Sequence, residues 1–193
     1  MKYIIMADGK STRWREFKGI PKHFIKIDGE TLIERTVRLF REKDDKCEII
    51  ITSHDKRYDI DGASRYEPKH NVLEIDRFTE ELIEDNICFL YGDTYYSDET
   101  VDMIVNMAVD DLLFFGNESS IVAVKVKDST VFKFHVGRVR QLFLEGKIDK
   151  CIGWQVYQSF MGLEFGKKQV AGNYILLNDK TRDYNCPEDV KNL

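Results

Sequence analysis

The opening residues, 1–22, constrain this chain more than any other stretch. Tyr3-Ile4-Ile5-Met6 is a short apolar run with the character of a buried strand. It passes without a spacer into Ala7-Asp8-Gly9-Lys10-Ser11-Thr12-Arg13, and a loop then leads to Pro21-Lys22. Small residues let a backbone come close to a ligand, while Lys10, Arg13 and Lys22 place cations in one loop. That combination suits a polyphosphate. A plain turn with solvated lysines would explain Gly9-Lys10 alone. The ordered set from Ala7 to Lys22, directly after an apolar strand, argues for function. The spacings GxxxxGK[ST] and GxGxxG are absent, so neither a P-loop nor a dinucleotide fingerprint is present.

Further along, apolar runs alternate with helical patterns. Thr31-Leu32-Ile33-Glu34 has the form of a capping box, and Leu32, Ile33, Thr36, Val37 and Phe40 recur at helical spacing, which predicts a helix over 31–42. Strands are expected at 48–51, 87–90, 112–115, 121–126 and 174–177. Helices are expected at 77–84, at 98–107 with Ser97 as cap, at 129–145, and at 187–193 with Pro187 in first position. Strands alternating with helices predict an α/β fold, its sheet flanked by helices on both faces. Ligands on such sheets bind beyond the carboxyl ends of the strands, where both 6–13 and 91–95 would lie.

Length and charge narrow the classes. A chain of 193 residues that is 42% hydrophobic suits one domain, 1–193, with a sizeable core. Cys47, Cys88, Cys151 and Cys186 are scattered, which disfavours a zinc site or disulfide framework and fits a cytoplasmic location. A net charge of −5 with mixed signs argues against nucleic-acid binding. No apolar run reaches membrane length, so no membrane partner is expected.

The N-terminal set resembles the signature of the nucleotidyltransferase superfamily, roughly Ala-Gly-Gly-any-Gly-Thr-Arg, a loop, then Pro-Lys. Gly9, Thr12, Arg13, Pro21 and Lys22 match it. Asp8 and Ser11 depart from it, Ser11 in a way shared with the molybdenum-cofactor guanylyltransferase branch. The resemblance implies a single Rossmann-like domain with a mostly parallel sheet, of the nucleotide-diphospho-sugar transferase type. It implies that Ala7, Asp8, Gly9, Lys10, Ser11 and Thr12 line the nucleotide, with Arg13 and Lys22 catalytic. A carboxylate at position 8 either reads base or ribose, or pairs with Lys10 or Arg13 to shape the loop.

Two later stretches extend the resemblance. Phe89-Leu90-Tyr91-Gly92-Asp93 ends a strand in one carboxylate, and the family gives that Asp a magnesium, a hard cation suited to oxygen ligands. Asp183-Tyr184-Asn185-Cys186-Pro187-Glu188-Asp189 resembles the family's late motif, so Asp183 or Asn185 would complete the metal site with Asp93. An ordinary turn and helix start would explain either stretch taken alone. Ser53-His54-Asp55 reads as a loop. Trp154 and Tyr157 fit either an acceptor pocket or a half-buried helix, and Lys167-Lys168 either a solvated loop or a phosphate contact.

The implied activity is magnesium-dependent transfer of NMP from an NTP to a small phosphate ester, with release of pyrophosphate. Pro21-Lys22 followed by His-Phe-Ile-Lys-Ile-Asp-Gly is most similar to cytidylyltransferases and sugar-phosphate nucleotidyltransferases that feed cell-surface polymers, which sets CTP ahead of other NTPs. The alternatives are a nucleotide-binding protein that has lost catalysis, motivated by Asp8, Ser11 and Asn185, and a molybdenum-cofactor-type guanylyltransferase. A nucleotide-sugar glycosyltransferase would call for Asp-any-Asp after the strand, which Asp93-Thr94-Tyr95 does not supply.

Overall fold

Strand β1 (Lys2–Met6) is buried on both sides, and its side chains alternate between two cores. Tyr3 and Ile5 enter one, and Ile4 and Met6 the other, as the period of two requires. The computed structural model describes residues 1–10, 13–14 and 17–192. Ser11 and Thr12, both expected to line the nucleotide, lie outside the described residues.

After the opening loop, β2 (Lys26–Ile27) and β3 (Glu30–Thr31) form a small antiparallel hairpin that delivers the chain to α1 (Leu32–Lys43). The capping box forms as its sequence implies. Glu34 N donates to Thr31 Oγ1 at 3.3 Å, and Thr31 N donates back to Glu34 Oε2 at 3.2 Å. Next come β4 (Glu48–Thr52), β5 (Ser64–Tyr66), β6 (Ile87–Tyr91) and the two-residue β7 (Thr94–Tyr95). Ser97 Oγ then caps α2 (Asp98–Asn106) by accepting from Thr100 N at 3.0 Å. The second half contains β8 (Leu112–Gly116), β9 (Ile121–Val126), α3 (Ser129–Leu144), α4 (Gly153–Met161), β10 (Tyr174–Leu176) and β11 (Arg182–Asp183).

The main sheet has seven strands in the order β10-β8-β9-β6-β1-β4-β5. β1 runs parallel to β4 and β6, β4 to β5, and β8 to β10. β9 is antiparallel to both its neighbours, β6 and β8. The sheet is therefore mostly parallel. Ile33, Val37 and Phe40 of α1, with Val101 and Ile104 of α2, cover one face. Phe132, Val136 and Val139 of α3, with Val156 and Tyr157 of α4, cover the other. Among the described residues no helix is long and apolar enough to cross a membrane.

Two expected helices differ. The stretch expected as a helix at 77–84 forms two short 3-10 turns instead, Glu74–Arg77 and Glu80–Leu82. The buried Asp76 carboxylate accepts from Val72 N at 2.8 Å and Leu73 N at 2.7 Å, which folds the chain back on itself. A segment this short has little helical stability of its own to oppose that. The terminal turn, Pro187–Asn192, is also 3-10. Asp189 Oδ2 accepts from Asn185 N and Cys186 N at its start, at 2.8 and 2.9 Å.

β4 lies on one side of β1 and β6 on the other. The loops leaving β1 and β6 therefore diverge at the carboxyl edge, and a crevice opens between them.

Candidate active site

Gly92 brings the β6 carboxylate to that crevice. Its N–H donates to Met6 O at 3.1 Å, and a Cβ on Gly92 would stand only 2.8 Å from the same oxygen. Only glycine allows the two strand ends to approach so closely. Asp93 follows, 8% exposed, and its Oδ2 forms an ion pair with Lys22 Nζ, itself 6% exposed. Burial works against the Asp93 charge, but the Lys22 ammonium outweighs it and holds the carboxyl below its usual range. Lys22 is carried by the turn Lys22–Phe24 behind Pro21. The next residue, His23, faces inward, with Nδ1 2.6 Å from Tyr58 Oη. Burial, and then the charge of Lys22, pull its pKa down to about 3, so His23 is neutral at physiological pH.

The late motif arrives at the same place through a small ribbon. β11 pairs antiparallel with β7, setting Asp183 opposite Thr94, and Tyr184 N donates to Asp93 O at 2.7 Å. Burial, followed by the nearby Asp93 charge, raises the Asp183 carboxyl above its ordinary value. The Asn185 amide donates to Asp183 Oδ2, and its Oδ1 accepts from Arg13 Nη2 at 2.7 Å. The opening loop is thus tied to the late motif. Trp14, 1% exposed, reinforces the link by packing in a small core with the fully buried Tyr184 while its Nε1 donates to Ile20 O at 2.8 Å.

The charged and amide side chains of these segments line one cleft of about 470 Å³. Lys10, Arg13 and Lys22 enter it, as do Asp93, Asp183 and Asn185. Ala7, Asp8 and Gly9 are not on its lining, and the Ala7 N–H donates to Thr52 O at 3.2 Å at the sheet edge. Lys10 Nζ reaches Val72 O at 3.4 Å. The N-terminus of α4 also opens onto the cleft. Ile152 gives it no side-chain cap, which leaves the positive end of the helix facing the space.

Asp8 has partners that the sequence did not suggest. It accepts from His54 N at 3.0 Å, from His54 Nδ1 at 2.9 Å and from Asn71 Nδ2 at 2.7 Å. The pairing with Lys10 or Arg13 allowed by the sequence is not the one formed. Arg77 is a further cation in the cleft that sequence reasoning missed. It pairs with Glu74 at 3.3 Å, and a Cβ on Gly9 would lie 3.1 Å from its Nη2, so the guanidinium packs directly on the loop backbone. Tyr91 and Trp154 line the cleft beyond it.

No family model and no curated protein matches the sequence. The structure does match solved ones. CTP:phosphocholine cytidylyltransferase from Streptococcus pneumoniae aligns with a TM-score of 0.62 at 14% identity, covering 99% of this chain and 96% of that one. HddC from Yersinia pseudotuberculosis aligns at 0.60 with 13% identity, covering 99% and 96%. The inositol-1-phosphate CTP transferase of T. maritima aligns at 0.59 with 13% identity, covering 97% and 90%.

The chain has the nucleotidyltransferase fold. Within this fold Lys10 and Arg13 of the loop after β1, Asp93, Asp183 and Asn185 meet in one cleft, although they lie far apart in the chain. Among the described residues there is no cluster of at least three His, Cys, Asp or Glu suited to a metal ion. The side-chain carboxylates and amides on the cleft lining are those of Glu74, Asp93, Asp183, Asn71 and Asn185, and Asp93, Asp183 and Asn185 are the three that the Gly92-Asp93 and late motifs supply.

Proposed function

We propose that this chain is a magnesium-dependent nucleotidyltransferase that transfers NMP from an NTP, CTP ahead of the others, to a sugar phosphate or phospho-alcohol, supplying precursors for cell-surface polymers. The observation that carries this reading is the cleft itself, in which Lys10, Arg13, Lys22 and Arg77 converge with Asp93 and Asp183. In the reaction an acceptor phosphate oxygen forms a bond to the α-phosphorus. The bridging bond from the α-phosphorus to the β-phosphate oxygen breaks, and its electron pair leaves on pyrophosphate. Nothing in this step needs a covalent enzyme intermediate, so positioning and charge stabilisation are the protein's task.

Lys10 and Arg13 hold the β- and γ-phosphates, and Asn185 orients the Arg13 guanidinium. Lys22 serves the α-phosphate and the entering oxygen. Asp93 keeps the Lys22 ammonium at the floor of the cleft. Asp93 and Asp183 repel each other, and that stored repulsion, with hard oxygen donors, fits a divalent cation. Magnesium, when bound, supplies positive charge to the phosphates.

The solved neighbours support the reading by their names, two of which pair CTP with a phosphorylated acceptor. Asp8 and the neutral Asn185 favour a second reading, a protein that binds NTP without turnover. A pyrophosphate-release screen of four NTPs against sugar 1-phosphates and phospho-alcohols separates the two. Release that needs both one NTP and one acceptor is the expected result. NTP binding with no release in any pairing would leave the second reading.

A further inference from the structure

A second cavity, of about 370 Å³, adjoins the cleft and shares Ser119, Ile152 and Trp154 with it. The two therefore adjoin at the start of α4. Their chemistry differs. The second cavity has an apolar floor of Ile148, Phe165 and Trp154, and Lys147, Lys150 and Lys168 on its lining. Lys147 pairs with Glu145 at 2.7 Å, whereas Lys150 and Lys168 form no ion pair among the described residues. Among the described residues Asp149 is the one carboxylate on the lining, so positive charge prevails there.

We propose that this second cavity is the far half of the acceptor site and selects a phosphate ester carrying a second anionic group at the end remote from the reacting phosphate. The inference rests on the nucleotidyltransferase reading for the position of the reacting phosphate, at Lys22 and Asp93 in the main cleft. From there the acceptor body passes over Trp154, an apolar face suited to a sugar ring. The remote anion meets Lys150 and Lys168. The same lysines oppose an acceptor with a cationic head.

The test measures binding and turnover separately. Three acceptors serve as probes: glucose 1,6-bisphosphate, glucose 1-phosphate and phosphocholine. Calorimetry reads their affinities without turnover. The bisphosphate is expected to bind about tenfold more tightly than the monophosphate, and phosphocholine least tightly. The double variant Lys150→Gln/Lys168→Gln changes two exposed side chains and should still fold. It should remove the bisphosphate's advantage while NTP affinity stays unchanged. An advantage that survives in the double variant, or equal affinities in the native chain, overturns the proposal. Pyrophosphate release then tests the parent reading independently. Turnover with equal acceptor affinities would sink only the subsite, and discrimination without turnover would sink only the transfer activity.

Discussion

Lys22 and Asp93 lie together in the floor of the cleft, so replacing either one leaves an unpaired charge in a buried place. Such a break costs about 3–5 kcal/mol in general, so Asp93→Ala is expected to lower stability as well as turnover. Asp93→Asn keeps the volume and a hydrogen-bond acceptor for Lys22, and should abolish metal-dependent turnover with the fold intact. Near-normal activity in that variant at saturating magnesium would remove Asp93 from the site. Lys22→Met, which retains the apolar stem, is expected to reduce kcat on the order of 10²–10³, and a change confined to the KM for NTP would make Lys22 a binding residue only. Asp183 gives a pH signature. Its native pKa lies above the unfolded value, so the ionised form destabilises the fold at neutral pH, and the cost fades as pH falls through the raised native value. Asp183→Asn should therefore raise Tm at pH 7, lose that advantage in acid, and abolish turnover. Magnesium should raise the Tm of the native chain more than that of the variant. A Tm at pH 7 equal to or below that of the native chain would refute the repulsion account. Asp8 holds Asn71, which lines the cleft, so Asp8→Gly should change the ratio of kcat/KM values among the four NTPs. An unchanged ratio would confine Asp8 to shaping the loop. These pairings were hard to read from sequence because Asp8 lies 46 residues from His54 and 63 from Asn71. One signal existed. Met6 pairs with Thr52 in parallel register, so whatever follows β4 must lie beside whatever follows β1.

Among the elements, those with strong local signals were legible. The capping box of α1 and the Ser97 cap of α2 fix their helices through hydrogen bonds between residues three apart, which a sequence displays directly. The 3-10 stretch around Arg77 was not legible, because its shape depends on Asp76, whose carboxylate also meets Arg140 of α3. That misreading concealed Arg77 as a residue of the cleft. The end of α2 shows the same limit. Lys125 of β9 is buried, and its ammonium donates to the carbonyls of Ile104, Val105 and Met107 at 2.8, 3.1 and 2.7 Å. It satisfies helix-end carbonyls that would otherwise lack partners. Lys125→Met should cost at least the roughly 1–3 kcal/mol of an unsatisfied buried group, seen as a Tm lower by several degrees with kcat unchanged. A Tm within a degree of the native value would mean that water or the backbone replaces those bonds.

At the scale of the molecule, strand order decides where chemistry is possible. Alternating apolar runs and helices made the α/β class legible, and the loop after β1 indicated the functional edge. The antiparallel insertion of β9 between β6 and β8 carried no sequence signal, since a fully buried strand reads alike in either direction. The second cavity was equally hidden, because it draws on the stretch after α3, the start of α4 and the stretch after it. The central claim is that one cleft at the β1–β6 switch performs nucleotidyl transfer. The most direct measurement is product stoichiometry, followed by ³¹P NMR, with the NTP and acceptor chosen by the pyrophosphate screen. The account predicts one pyrophosphate and one diphosphate-linked nucleotide product for each NTP consumed, with neither formed by the Asp93→Asn variant. Inorganic phosphate in place of pyrophosphate, or pyrophosphate without a joined product, would contradict it.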